Sequence, residues 1–402
     1  MTARVVDHEL FEVAPRFQFL RLETADGAVG WGEPVVEGRA GPVRAAVDEL
    51  MAEVVLGADP HDIEHLWQRM YRGGFYRGGP VLLSAIAGID QALWDLKGTA
   101  LGAPVHELLG GRARDRIRLY AHVPADAPAG AGDGESTGGA DGRPTPEALA
   151  RGAARKADEG YTALKTSLSG PFERIEDPAT VDAAVERVAA IREAVGPAVD
   201  VAVDFHGKVS TAVATRLAVE LEDHDPMFYE EPVLPEQAGS LPAVAASTSV
   251  PLPTGERLYS RWAFRDVLAD GAVDVVQPDP SHAGGITEVR KIATMAAAHD
   301  AALAPHCPLG PIALAACLQV DACSPNALVQ EQVVHREQDR HVLELLADPG
   351  VLDHDDGFVD VPAGPGLGVE IDEAVLRERA AEGAYEWSVP QLGHDDGGVA
   401  EW

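Results

Sequence analysis

Apolar positions along the chain follow two rhythms, and the change between them marks a boundary. Phe17 to Thr24 and Gly27 to Pro34 form two apolar-rich runs around Ala25-Asp26-Gly27, which predicts a β-hairpin on a turn signal. Ile86, Ile89, Leu93 and Leu96 then step by three or four and predict an amphipathic helix. Residues 1–112 therefore read as an α+β unit, too short to be a barrel. Beyond them short apolar runs recur at a steadier spacing. RIRLYAHV (116–123) and YTALKTS (161–167) come first, then VDVAVDF, MFYEEP, VPLPTGE, VDVVQPD, AALAPH and ALVQE. These last six close on Asp204, Glu230, Glu256, Asp279, His306 and Glu331, 23 to 27 residues apart, each trailed by a stretch of helical composition. One strand plus one helix needs about that many residues, so eight runs predict an α/β barrel of parallel strands over residues 113–345. Residues 124–140 lie between the first two runs. They hold no aliphatic residue larger than alanine apart from prolines and cannot bury a core, so they read as a flexible insertion. A helical stretch is expected over His335–Leu346. The remainder, 346–402, has acidic turns and a last helix over Glu373–Ala381, expected to pack back on the first unit.

In a closed parallel barrel the carboxyl ends of all strands meet on one face, where catalytic groups collect. Five carboxylates and one histidine would converge there. Like charges so close repel, and a divalent cation is their natural neutraliser. The pattern predicts a metal-dependent enzyme. Composition then narrows its setting. The 65 acidic residues against 32 basic ones give a formal charge of -33, and only five of the basic residues are lysines. Such a field argues against nucleic-acid and anionic-membrane partners. Scarce lysine favours adaptation to a salty cytoplasm, where screening removes the self-repulsion. No run approaches 18 consecutive apolar residues, and the opening MTARVVDHELFEV lacks the apolar core of a signal peptide. The three cysteines (Cys307, Cys317, Cys323) give no disulfide framework and read as reduced and buried. A cytoplasmic location is expected.

Several longer stretches carry a resemblance: VGWGEPVVEGRA, MYRGGFYRGGPVLLSAIAGIDQALWDLKG, VDFHGKVS, EEPVLPEQA, GERLYSR, QPDPSHAGGITE, APHCPLGPIALAACLQ and PGLGVEID. Over nearly the whole chain these resemble the enolase superfamily, and more narrowly its D-galactonate dehydratase family of sugar-acid dehydratases. The resemblance implies a modified TIM barrel, (β/α)7β, under an α+β capping domain built from the N-terminal segment and the C-terminal tail. It implies that Asp204, Glu230 and Glu256 bind one Mg²⁺. Three carboxylates suit that ion and leave positions open for substrate oxygens. Adjacent strand residues point to opposite faces, so only one of Glu230 and Glu231 should reach the metal. Spacing and resemblance select Glu230, with Glu231 as a supporting or structural partner.

The chemistry implied is removal of the proton α to a carboxylate followed by loss of the β-hydroxyl, giving a 2-keto-3-deoxy acid. Adjacent strand ends can set Asp279 against one nitrogen of His306, orienting the ring and raising its basicity, and the family reading makes this pair the base. His206, two residues after Asp204, falls on the same side by strand alternation, and by resemblance it is the acid that protonates the departing 3-hydroxyl. Lys165 closes the second barrel run. Many superfamily members carry Lys-x-Lys there, but this chain has Lys165-Thr166-Ser167, which disfavours a two-base racemase and departs from Lys-x-Asn as well. Lys165 is expected to offset carboxylate charge, and Glu331 to fix the substrate or accept a hydrogen bond opposite the metal. Arg72 and Arg77 belong to a glycine-rich loop that could close over the site, and His282 is expected to support Asp279. The expected substrate is a small sugar acid: D-galactonate, or D-gluconate or D-xylonate, which the catalytic groups do not distinguish. A racemase or cycloisomerase is one alternative, and a catalytically silent sugar-acid-binding protein is another. A homo-oligomer is the default assembly.

Overall fold

The structure, a computed structural model, describes residues 3–126, 143–383, 387, 391–394 and 396–401. The expected insertion at 124–140 lies, from residue 127 onward, outside the described residues. The N-terminal unit is an antiparallel meander of β1 (Val5–Val13), β2 (Phe17–Thr24) and β3 (Val29–Gly32). The predicted hairpin is β2–β3; β1 was not anticipated, because its polar residues interrupt the apolar run. Against the sheet packs the 22-residue α3 (Pro80–Leu101), which in turn contacts α1 (Ala40–Leu50), α2 (Ile63–Arg72) and the short α4 (Val105–Leu108). Helix α3 carries the predicted stripe, but its opposite face is buried too, because it is wedged between the sheet and the barrel. That close approach needs glycine: a Cβ on Gly32 would stand 1.9 Å from the Gly88 carbonyl oxygen.

The barrel strands are β4 (Arg116–His122), β5 (Ala163–Ser167), β6 (Asp200–Asp204), β7 (Tyr229–Glu230), β8 (Pro253–Thr254), β9 (Val275–Val276), β10 (Ala302–Leu303) and β11 (Gln330–Glu331). Parallel pairing runs β4–β5–β6–β7 and β8–β9–β10, and β11 returns to β4. Two seams complete the circle. Glu231 N–H donates to Pro253 O at 3.0 Å between β7 and β8, and Leu328 N–H donates to Leu303 O at 2.8 Å between the β10 and β11 segments. Helices α5 (Pro146–Asp158), α6 (Pro178–Val195), α7 (Thr211–Leu221), α8 (Leu241–Ala245), α9 (Arg261–Ala269), α10 (Gly285–Ala298) and α11 (Pro311–Ala322) follow the first seven strands. After β11 the helical stretch expected over His335–Leu346 is reduced to a 3₁₀ turn at Arg340–Leu345. This is the (β/α)7β arrangement under an α+β cap.

The chain then turns through β12 (His354–Asp355) and β13 (Phe358–Asp360), which pairs antiparallel with β4, and ends in α12 (Glu373–Glu382). Arg377 of α12 forks onto Glu9 of β1 at 2.8 and 2.6 Å, and Arg21 of β2 reaches Glu373 at 3.1 Å. Buried carboxylates and amides join these parts. Asp95 accepts from Trp31 N–H at 2.9 Å and from Leu367 N–H at 2.8 Å, tying β3, α3 and the C-terminal segment together. Gln319 of α11 accepts from His106 N–H and contacts its ring nitrogen Nδ1, both at 2.8 Å, and donates to Pro362 O at 3.0 Å and Leu367 O at 2.9 Å.

Gln319→Leu keeps the volume but strands one N–H and two carbonyls in a dry interior. Each such group costs about 1–3 kcal/mol, so a stability loss of roughly 3 kcal/mol or more is expected. Urea denaturation reads it, and a loss below about 1 kcal/mol would show that these groups find other partners.

Candidate active site

The carboxyl ends of the strands bring the six periodic residues together with Lys165. Asp204 ends β6 and Glu230 ends β7, but Glu256, Asp279 and His306 lie two or three residues beyond β8, β9 and β10. These strands are shorter than the apolar runs suggested, because a proline or glycine interrupts each at its end. Asp204, Glu230 and Glu256 each offer a carboxylate oxygen, and the three oxygens lie within 4.8 Å of one another. Asp204 and Glu230 are fully buried. Glu230 Oε2 and Glu256 Oε2 are shielded from solvent with no hydrogen-bond donor. Burial, then the Asp204 charge, pushes Glu230 up to about 7. Burial also pushes Glu256 up to about 7, against the pull of His306. Burial works in the same direction on Asp204, but the His206 and Lys165 charges overcome it and hold this carboxyl low. Three converging carboxylates, two of which keep a buried oxygen without a donor, fit a hard divalent cation.

Lys165 sits inside β5 rather than at its end. Its ammonium bonds Glu230 Oε1 at 2.8 Å and Glu331 Oε1 at 2.9 Å, with Asp204 Oδ2 at 3.4 Å, and the side chain is 2 % exposed. Burial disfavours its charge, but Glu230 and Glu331 outweigh that and raise its pKa well above the ordinary value. Glu331 spends both oxygens within the protein, Oε1 on Lys165 and on His122 Nε2 at 2.8 Å, and Oε2 on the Cys307 N–H at 2.9 Å. His122, the last residue of β4, went unassigned in the sequence. Its signal was present, since it closes the first barrel strand as the other site residues close or follow theirs.

His306 Nδ1 lies 2.8 Å from Asp279 Oδ2, and Asp279 Oδ1 accepts from Ser281 N–H at 2.6 Å. The far nitrogen, Nε2, stands 3.5 Å from Glu256 Oε2 and 3.8 Å from Glu331 Oε2. Burial would lower the His306 pKa, but Glu256, Glu331 and Asp279 together raise it well above the usual imidazole range. His282 rests beside Asp279 at 3.7 Å and is bonded to Ser84 of α3 at 2.9 Å. The cap steadies this loop further through Gln91 of α3, which donates to Pro280 O and Ser281 Oγ at 3.1 and 3.0 Å. Glu33 accepts from Gly310 N–H at 2.7 Å and Ala313 N–H at 2.9 Å, anchoring the segment after His306 at the start of α11.

His206 reaches the triad by a route other than strand alternation. The strand stops at Asp204, and His206 takes a left-handed φ of 51°. That turn lays its Nε2 2.8 Å from Asp204 Oδ2, while its N–H donates to Asp204 Oδ1 at 2.8 Å. Glu231 likewise has a positive φ, 43°, and turns away from the triad onto the Thr254 hydroxyl and onto Arg257 Nη2 at 2.6 Å. Two non-glycine residues in this region, side by side at one barrel mouth, mark backbone held in place by its surroundings.

These groups open onto a cavity of about 790 Å³ whose lining includes His206, Glu256, His306, Lys165, Glu331 and His122. The cap contributes Arg16, Val36, Glu37 and Pro80. Arg72 and Arg77 are exposed and are not among the described lining residues, whereas Arg16 and Glu37 of the cap are.

The N-terminal-domain model of the mandelate racemase/muconate lactonizing enzyme family matches residues 13–110, and the enolase C-terminal domain-like model matches 148–375. A D-galactonate dehydratase of Verminephrobacter eiseniae is 51% identical over 98% of both chains, and that of Ralstonia pickettii is 50% identical over the same shares. Among solved structures, a mandelate racemase/muconate lactonizing enzyme from Sulfitobacter sp. superposes with a TM-score of 0.86 at 31% identity, covering 97% of this chain and 99% of that one. A second, from Jannaschia sp., gives 0.85 at 33% identity over 94% and 97%. No helix among the described residues is long and apolar enough to cross a membrane. With a cap and a barrel that both match and full-length relatives that are dehydratases, the chain belongs to the mandelate racemase/muconate lactonizing enzyme family of the enolase superfamily and is an enzyme of its hydro-lyase branch.

Proposed function

We propose that the protein dehydrates an aldonate to its 2-keto-3-deoxy acid with Mg²⁺ as cofactor. One observation carries the reading. Two imidazoles, His306 and His206, line the same cavity and touch the same carboxylate triad from different strands, at 3.5 Å and 2.8 Å. A β-elimination takes a proton from carbon and gives one to the leaving hydroxyl, and two imidazoles can divide these tasks; a racemisation needs no acid for a leaving hydroxyl. Asp204, Glu230 and Glu256 would hold the cation, which when bound supplies positive charge against which a second negative charge on the substrate carboxylate can develop.

The remaining steps belong to the chain. Asp279 fixes the His306 ring so that Nε2 faces the cavity and takes the C2 proton. The C2–H electron pair first delocalises into the substrate carboxylate and then forms the C2–C3 double bond as the C3–O bond breaks. His206 gives its proton to the departing oxygen, which leaves as water, and the enol formed tautomerises to the 2-keto acid. Lys165 and Glu331 set the charge around the triad. Lys165 is held by three carboxylates, which argues against a role as second base, and Ser167 supplies none, so the racemase alternative is disfavoured. A silent sugar-acid-binding protein would have no need of both imidazoles. The names of the relatives favour D-galactonate, and D-gluconate or D-xylonate meets the same catalytic groups. The acidic composition supports work at high salt in the cytoplasm, and a symmetric homo-oligomer remains the default.

Incubating aldonates with enzyme and Mg²⁺ and measuring 2-keto acid tests the reading. His306→Asn is expected to lower turnover by about 10²- to 10⁴-fold and to abolish exchange of the C2 hydrogen with D₂O. His206→Asn should lose dehydration to a similar degree yet retain that exchange, and loss of both in a folded variant would remove His206 as the acid.

Mg²⁺ should raise the melting temperature of the wild type and leave that of Asp204→Asn unmoved, since only a folded site binds the ion. An equal shift in both would place the ion elsewhere. Raising KCl from about 0.1 M to about 1 M shortens the screening length from about 10 Å to 3 Å and should stabilise a chain of charge -33. A melting temperature that falls with salt would count against the high-salt setting.

A further inference from the structure

The cavity at the barrel mouth does not end at the catalytic groups. A second cavity of about 780 Å³, between the β4 and β5 loops and the segment after β11, shares His122, Lys165, Ser167, Arg336 and Gln338 with the first. Five residues line both, so the two cavities adjoin across a neck at Arg336. Glu256, His206 and His306 line the first compartment, so a chain molecule held there by its carboxylate extends its other end toward the neck.

Arg336 stands out among the arginines and lysines that line the first cavity. Arg16 is neutralised by Glu37 at 3.0 Å and Asp339 at 3.5 Å, and Arg257 by Glu231 at 2.6 Å. Lys165 is bound to three carboxylates. The guanidinium of Arg336 makes no hydrogen bond or ion pair with any described residue, and its Nε is shielded from solvent without a partner. Burial lowers its pKa, and the more distant Glu331 and Asp339 offset this only in part. A buried polar group lacking a partner is expensive and calls for an explanation. A planar fork of donors with no acceptor of its own matches a pair of neighbouring hydroxyl oxygens.

We propose that Arg336 anchors the hydroxyl-bearing end of the sugar acid remote from the triad, and so sets the chain length the enzyme prefers. This rests on the aldonate reading above. The substrate has one carboxylate, and that is engaged at the triad, so what remains for Arg336 is the polyol tail. His122, fixed through Nε2 by Glu331, lines the same neck and leaves Nδ1 for a further hydroxyl. Arg336 acts on binding and not on the chemistry at C2 and C3.

The test compares a six-carbon aldonate with a four-carbon acid of the same C2 and C3 configuration, using the Mg²⁺-loaded enzyme. Arg336→Leu is expected to raise KM for the six-carbon acid roughly 10- to 100-fold, the loss of one or two charge-assisted hydrogen bonds, with kcat little changed. The four-carbon acid should be unaffected, and Arg336→Lys should recover part of the loss. The melting temperature should stay level or rise, because an unpaired cation has been removed. Calorimetric Kd values in a His306→Asn background repeat the comparison without turnover. Equal weakening of both acids, no weakening, or a loss confined to acids with a second terminal carboxylate would overturn the anchor. If the wild type turns over no aldonate, the dehydratase reading fails, while the calorimetric comparison of six-carbon binding still decides the role of Arg336.

Discussion

Repulsion among buried carboxylates governs the barrel mouth. Asp204, Glu230 and Glu331 are almost fully enclosed and Glu256 nearly so, in a space where charges are poorly screened. Lys165 is the one ammonium among the described residues that touches three of them, and it does so from a strand interior, where its position is fixed by the sheet. Much of the rest follows from this surplus of negative charge. Oxygens of Glu230 and Glu256 are left without donors, a cation is invited, and His306 is held basic by the carboxylates on either side of it. A protein solving only a folding problem would have placed leucines there.

The cap completes the site more than it covers it. Glu33, Ser84 and Gln91 reach into the loops that carry Asp279 and His306, and Arg16 bonds the Pro308 carbonyl at 2.6 Å. The barrel therefore supplies the residues that could carry out a reaction, while the first hundred residues keep two of its loops in place. Glycines at the contact allow this closeness, since β3 and α3 meet backbone to backbone.

Legibility in the sequence followed chemistry with a period. Asp204, Glu230, Glu256, Asp279, His306 and Glu331 were readable because one βα unit has a nearly constant length, and the resemblance separated triad from dyad. The strands themselves were read too long: prolines and glycines end β8, β9 and β10 early, and a run of apolar residues does not reveal where pairing stops. His206 was found by a wrong route, since alternation does not extend past Asp204 and a left-handed turn brings it back. Arg336 had no local signal at all. What distinguishes it is the lack of a partner, a property of the folded surroundings that no spacing encodes. The helical stretch expected over His335–Leu346 shortened to a 3₁₀ turn for a related reason, as residues after β11 bend to line the cavity.

The grip of α3 on the loop after β9 has an evolutionary consequence. Ser84 and Gln91 on one side, His282 and Ser281 on the other, form a matched set across two units separated by nearly two hundred residues of sequence. A barrel transplanted beneath a foreign cap would keep every residue of its chemistry and lose the alignment of Asp279 against His306. Cap and base are inherited together.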